Sequence, residues 1–262
     1  MGFSAGKARH RSFSPGVVPT IDRVEPGEAI DALQDATERT AALAASADLT
    51  APVERLGRWR AQDVVAHLGG VHEWAMRIVR TSSMDGPGFR KSKLRGDELA
   101  DWYVGVAADL VDALRSVDPD GVCPNFNPGS PATNGFWIRR QLHETLIHTY
   151  DLERVLADVT TIAPHIAVDT VDEHLDVFVR TRGKQTLSAP LLLESTDAAA
   201  TWLLAPAAKP GRVDIDPPDA APAATMTGAA MNLALVVWGR LTVAEAGLSV
   251  GGDEAVAASF RA

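Results

Sequence analysis

The chain has 262 residues, 46% of them apolar and 23% charged, with a formal charge of −9. That composition belongs to a globular protein able to bury a core in one domain or two. It argues against a nucleic-acid partner, which calls for a basic surface, and no apolar run nears the roughly 20 residues needed to cross a bilayer. The lone cysteine, Cys123, excludes an internal disulfide and any cysteine-rich zinc site. It sits in a Pro- and Asn-rich loop with no activating base in view and is read as structural; a cytoplasmic location is expected.

In chain order, the basic start MGFSAGKARHR lacks the apolar stretch of a secretory signal. Residues 1–20 are expected to form a disordered extension. Four amphipathic helices follow. The first spans residues 26–47, with Pro26 in the first turn, where its missing N–H does no harm. The second spans 61–80 on an apolar stripe of Val64, Val65, Leu68, Val71, Trp74 and Ile78. The third spans 97–117, between Gly96-Asp97 and Asp118-Pro119 as start and stop signals. The fourth spans 135–158 and carries Ile138, Leu142, Leu146 and Val155. Helices of similar length without strands between them predict an antiparallel four-helix bundle.

The pattern changes after Pro164. A helix with Val168, Val171, Leu175 and Phe178 precedes four short strand-like runs: PLLLEST, ATWLLAP, GRVDID and ATMTGA. Their length and turn-forming separators predict an antiparallel sheet. MNLALVVWGRL reads as a helix, LSVGGD as a strand and turn, and EAVAASF as a closing helix. The fold class expected is therefore two-domain α+β, a bundle over residues 21–162 and a small α+β domain over 163–262.

The chemistry concentrates in RRQLHETLIHTYDLER of the fourth helix. Glu144 and His148, four residues apart, lie about 40° apart around the axis, and Asp151 returns to within about 20° of Glu144 on the other side. His143 and His148, five apart, diverge by about 140° and cannot share a metal. In the second helix His67 sits among Val64, Leu68 and Val71, where an unpaired imidazole would cost about 1–3 kcal/mol. Two imidazoles and a carboxylate on facing bundle helices form a zinc-type ligand set with open positions for water or substrate. The other reading of the spacing is a buried His–Glu hydrogen-bonded network beside an unrelated core histidine. Trp59, Trp74, Trp102 and Trp137 are read as packing, and His165 and His174 as surface or cap residues.

At these residues the sequence resembles the mycothiol-dependent maleylpyruvate isomerase family, within the broader group of DinB-like metal-binding bundles. WRAQDVVAHLGGVHEWA, RRQLHETLIHTYDLE and VVWGRL carry the likeness, which extends over residues 21–260. It implies a DinB-like bundle followed by a sterol carrier protein-like domain. It also implies a divalent metal, zinc by preference, on His67, Glu144 and His148, with catalytic roles for Asp151 and, from the second domain, Arg240. The implied cosubstrate is mycothiol or another low-molecular-weight thiol, and the implied partner a small electrophile undergoing cis–trans isomerisation or S-transfer, with no membrane involved. A thiol-independent metalloenzyme of specialised metabolism and a non-catalytic metal-binding module stand as alternatives. The loop CPNFNPGSPATNGF has no counterpart in the likeness. Because it leads into the ligand helix, it is expected near the metal.

Overall fold

A computed structural model describes residues 23–46, 48–181 and 184–261, so the extension expected over residues 1–20 lies outside the described residues. Helix α1 (Pro26–Ser46) is followed by α2 (Ala61–Thr81), α3 (Gly96–Arg115) and α4 (Asn134–Leu156). Packing in the bundle runs in the ring order α1–α3–α2–α4. The link between α1 and α2 therefore crosses the bundle diagonal, and α2 and α4, which carry the candidate ligands, are neighbours.

Two apolar clusters fill the bundle. One packs Leu33, Ile78, Leu110, Leu114, Trp137 and Leu142; the other packs Val64, Leu68, Leu99, Tyr103 and Leu152. Between them lies a layer of buried polar side chains. Thr40 Oγ1 meets Thr149 Oγ1 at 2.9 Å, and His72 Nε2 meets Thr145 Oγ1 at 3.0 Å. Pairing is what makes such groups tolerable in an apolar interior.

Helix α5 (Pro164–His174) widens into a π-helical turn, Leu175–Val179, and belongs to a second core. There it packs beside α6 (Ala230–Val237) against a sheet of β1 (Leu191–Ser195), β2 (Thr201–Pro206), β3 (Val213–Ile215), β4 (Ala224–Gly228) and β5 (Ser249–Gly252), with α7 (Glu254–Ser259) closing it. The strand order is β3-β2-β1-β4-β5. The sheet is mixed, which corrects the antiparallel expectation: β4 returns on the far side of β1 and pairs with it in parallel, Leu191 opposite Ala224 and Leu193 opposite Met226. Alternation still decides burial, since Leu191, Leu193, Trp202, Leu204 and Met226 all point inward.

The two cores meet along one seam. Ile147 and Tyr150 of α4 pack with Leu235 and Trp238. Trp238 Nε1 donates to the Thr170 carbonyl of α5 at 3.1 Å. His143, turned away from the candidate ligands, is buried between Asp169 Oδ2 (2.7 Å) and Thr170 Oγ1 (2.9 Å). His165 lies on the surface against Glu28, and His174, the last residue of α5, stands at the helix end, half-buried with its ring 4.5 Å from that of Trp238.

Candidate metal centre

His67 of α2 and Glu144 and His148 of α4 each present a ligand atom to a common point, all three within 4.8 Å of one another. His67 Nε2 is 2.9 Å and His148 Nε2 3.5 Å from Glu144 Oε1. The four-residue spacing on α4 sets the second distance, and the packing of α2 on α4 sets the first.

Burial, reinforced by the neighbouring positive groups (His148 first for His67, Arg240 first for His148), drives the His67 pKa down to about 3 and lowers that of His148, so both imidazoles are neutral near pH 7. On His148, Asp151 pulls the other way. Its Oδ2 accepts from His148 Nδ1 at 2.8 Å, so the Nδ1 proton is fixed and the Nε2 lone pair is left for the common point. Burial alone would raise the Asp151 pKa, but His148 and Arg240 outweigh it and hold the carboxyl below its ordinary value.

Arg240 reaches Asp151 from the other side of the seam. Its Nε and Nη2 donate to the two carboxylate oxygens at 3.1 and 2.9 Å, and its Nη1 donates to the Trp238 carbonyl at 2.9 Å. It stands in the turn that ends α6, where Gly239 at φ +71° takes the left-handed conformation that favours glycine. A polar cavity of 250 Å³ opens beside this pair, lined also by Tyr150, Arg154 and Val53.

Two connections frame the site. The diagonal link brings Trp59 against both imidazoles, ring centres 5.1 Å from His67 and 6.1 Å from His148. The segment between α2 and α3 lies across α2 as a strap: Ser92 N donates to the Ala66 carbonyl at 3.1 Å and Phe89 sets its edge on His67 at 5.0 Å. Gly70 permits that approach, because a Cβ there would meet the Arg90 carbonyl. Lys91 completes the strap, pairing with Asp63 at 2.9 Å and lying 5.2 Å from the Trp59 ring centre.

The five residues singled out in the sequence, His67, Glu144, His148, Asp151 and Arg240, thus converge. Three neighbours were not anticipated. Trp59 lines the site instead of merely packing at a helix entry. Phe89 comes from a loop without a sequence signal. Arg140, one turn before Glu144 in the same stripe, is buried and bonded to Glu144 Oε2; its spacing could have revealed it. The 123–136 loop, expected near the metal, packs at the start of α4 instead, Phe126 against Trp74 and Trp137. Glu144 lies ten residues beyond Asn134, about 15 Å further along the axis. Cys123 is fully buried and burial raises its pKa, in keeping with a structural thiol.

Neutral imidazoles and an oriented carboxylate are the donors a zinc-like ion takes, so the residues present fit a divalent metal. Fold and site together define a helical bundle with a histidine–glutamate metal-type centre, closed on one side by an arginine from an α+β unit. Residues 30–153 match the family model described as the mycothiol maleylpyruvate isomerase N-terminal domain, and residues 165–259 match its C-terminal domain. The chain belongs to the mycothiol-dependent maleylpyruvate isomerase family. Among solved structures it is similar in fold to the mycothiol-dependent maleylpyruvate isomerase and to a histidine-to-alanine mutant of it. Each has a TM-score of 0.63, with 14% and 13% identity, over 87% of this chain and 93% of theirs. No curated protein matches by sequence.

Proposed function

We propose that this chain is a metal-dependent enzyme of the isomerase type, acting on a small electrophilic substrate with a low-molecular-weight thiol such as mycothiol. The observation that carries the reading is the convergence of His67, Glu144 and His148 with an Asp151–Arg240 pair that spans the seam. Family membership supplies the thiol and the reaction type. We further assign residues 21–162 to the bundle domain and 163–262 to the C-terminal domain.

His67, Glu144 and His148 would hold the divalent metal, zinc by ligand type; such an ion favours thiolate over a thiol whose free pKa is near 8.5. Asp151 keeps the proton on His148 Nδ1 and holds the Arg240 guanidinium in place. Arg240, so oriented, lines the polar cavity and would receive a carboxylate or other acceptor of the substrate there. Trp59 and Phe89 cover the histidines and limit the entry of water. In the isomerase reaction, addition of the thiol across a cis double bond leaves a single bond free to rotate. Elimination then returns the thiol and releases the trans isomer. In an S-transfer the adduct would be the product.

Elemental analysis of the wild type and of His67→Ala and Glu144→Ala tests the reading. About one metal per wild-type chain, lost in both variants, is expected, together with thiol-dependent turnover that disappears with the metal. A wild type prepared without chelators that carries no metal and takes none up would overturn it.

A further inference from the structure

Arg140 has no part in the functional reading above, yet it is more deeply buried than Arg240 or Lys91. Its side chain is 5% exposed. Nη2 bonds Glu144 Oε2, and Nη1 donates to Glu173 Oε1 of α5 at 2.6 Å. The guanidinium carbon is 4.8 Å from the Phe178 ring centre and 5.4 Å from that of Trp238. Glu173, itself 1% exposed, has no further partner for its Oε2 among the described residues. The guanidinium is thus a fork between half-buried Glu144 and buried Glu173 on two helices, with an aromatic ring from each side of the α5–α6 pair against it.

This arrangement divides the two oxygens of Glu144. Oε2 is committed to Arg140, and Oε1 alone faces His67 and His148. We propose that Arg140, anchored by Glu173, is a positioning residue that confines Glu144 to one donor oxygen and makes its aim depend on the seating of the C-terminal half. The inference rests on the metal reading above. It assigns the work of orienting the carboxylate ligand to a residue on the ligand's own helix and an anchor on the next one.

Charge and positioning predict different signs, so they can be separated. If Arg140 acted by charge alone, removing it would leave Glu173 unbalanced and tighten the grip on a cation. Removing Glu173 would leave Arg140 less balanced and loosen it. Positioning requires both losses to loosen it, and the loss of both residues together to loosen it as well.

The test is zinc affinity, measured by competition with a chromophoric chelator, for wild type, Arg140→Met, Glu173→Leu and the double variant. The double variant replaces the buried ions by apolar side chains of similar size, an exchange that folded proteins commonly tolerate, and so guards against misfolding of either single variant. The expected result is a loss of about 10- to 100-fold, the range typical when a group orienting a metal ligand is removed, in the double variant and in each single variant that folds. Tighter zinc in Arg140→Met with weaker zinc in Glu173→Leu would overturn the proposal, as would wild-type affinity in the double variant. A wild type that binds no zinc would instead overturn the metal reading itself.

Discussion

Asp151 shows how one carboxylate can serve two elements at once. Its Oδ2 accepts from His148 and also from Arg240, and its Oδ1 accepts from Arg240 Nε. Replacing it with Asn keeps the shape but lets an amide N–H face the imidazole or the guanidinium. Asp151→Asn is therefore expected to weaken metal binding by about 10- to 100-fold, read by chelator competition, while the bundle stays folded by circular dichroism. Asp172 titrates in the opposite sense. Burial, aided by Asp169 and Asp176, raises its pKa from 3.8 to about 6 against the pull of the 2.6 Å bond from Trp202 Nε1. A folded pKa above the unfolded one means that the folded state binds more proton between about pH 4 and pH 6. Stability from this group is then present below that window, falls as pH rises through it, and levels off above. The difference sets an upper bound of roughly 3 kcal/mol. In Asp172→Asn, whose amide oxygen still accepts from Trp202, denaturation midpoints at pH 4 and pH 6.5 should lie closer together than in the wild type; an unchanged gap would show that the carboxyl stays ionised.

At the scale of elements, the two helices and the two connections contribute different things. Helices α2 and α4 fix the candidate ligands, because spacing along a helix dictates angle. This is why Glu144, His148 and Asp151 were legible in the sequence as one face and His143 was legible as turned away. Arg140 obeys the same spacing but was overlooked, since an arginine in a helix is ordinarily solvated. The connections gave no such signal. Trp59 and Phe89 reach the site only through tertiary packing, and nothing in their local sequence encodes it. The 123–136 loop shows the limit of that logic: it leads into α4, yet Glu144 lies about 15 Å further along the axis. The parallel pairing of β1 and β4 was hidden for a related reason: a five-residue apolar run records which face is buried, not which neighbour it chooses or in which direction. The strap between α2 and α3 makes the element-scale prediction. Gly70→Ala would push a methyl into the Arg90 carbonyl. It should cost about 1–3 kcal/mol as an overpacked contact, seen in the denaturation midpoint, and should make residues 82–95 more susceptible to protease as Phe89 lifts from His67.

For the whole molecule, the seam is what couples the two cores. Arg140 and Asp151 of the bundle find their partners in Glu173 and Arg240, and Ile147 and Tyr150 are covered by Leu235 and Trp238. A chain cut after residue 162 loses all of these together. Stranding one member of a buried ion pair typically costs about 3–5 kcal/mol. The isolated bundle is therefore expected to melt well below the full-length protein and to bind zinc more weakly, which calorimetry and chelator competition would show; an equally stable, equally avid fragment would mean that the seam is passive.

The position of Arg240 along the chain also bears on biosynthesis. Domains fold as units, N-terminal first, as a chain is made, and the three residues proposed as metal donors, the last at residue 148, emerge before Glu173 and Arg240. Under the metal reading proposed above, the nascent bundle would present its donors before their partners across the seam exist. On that reading the full set of seam contacts forms only once residue 240 has been made, so a metal bound earlier would sit in the weaker site that the bundle alone provides.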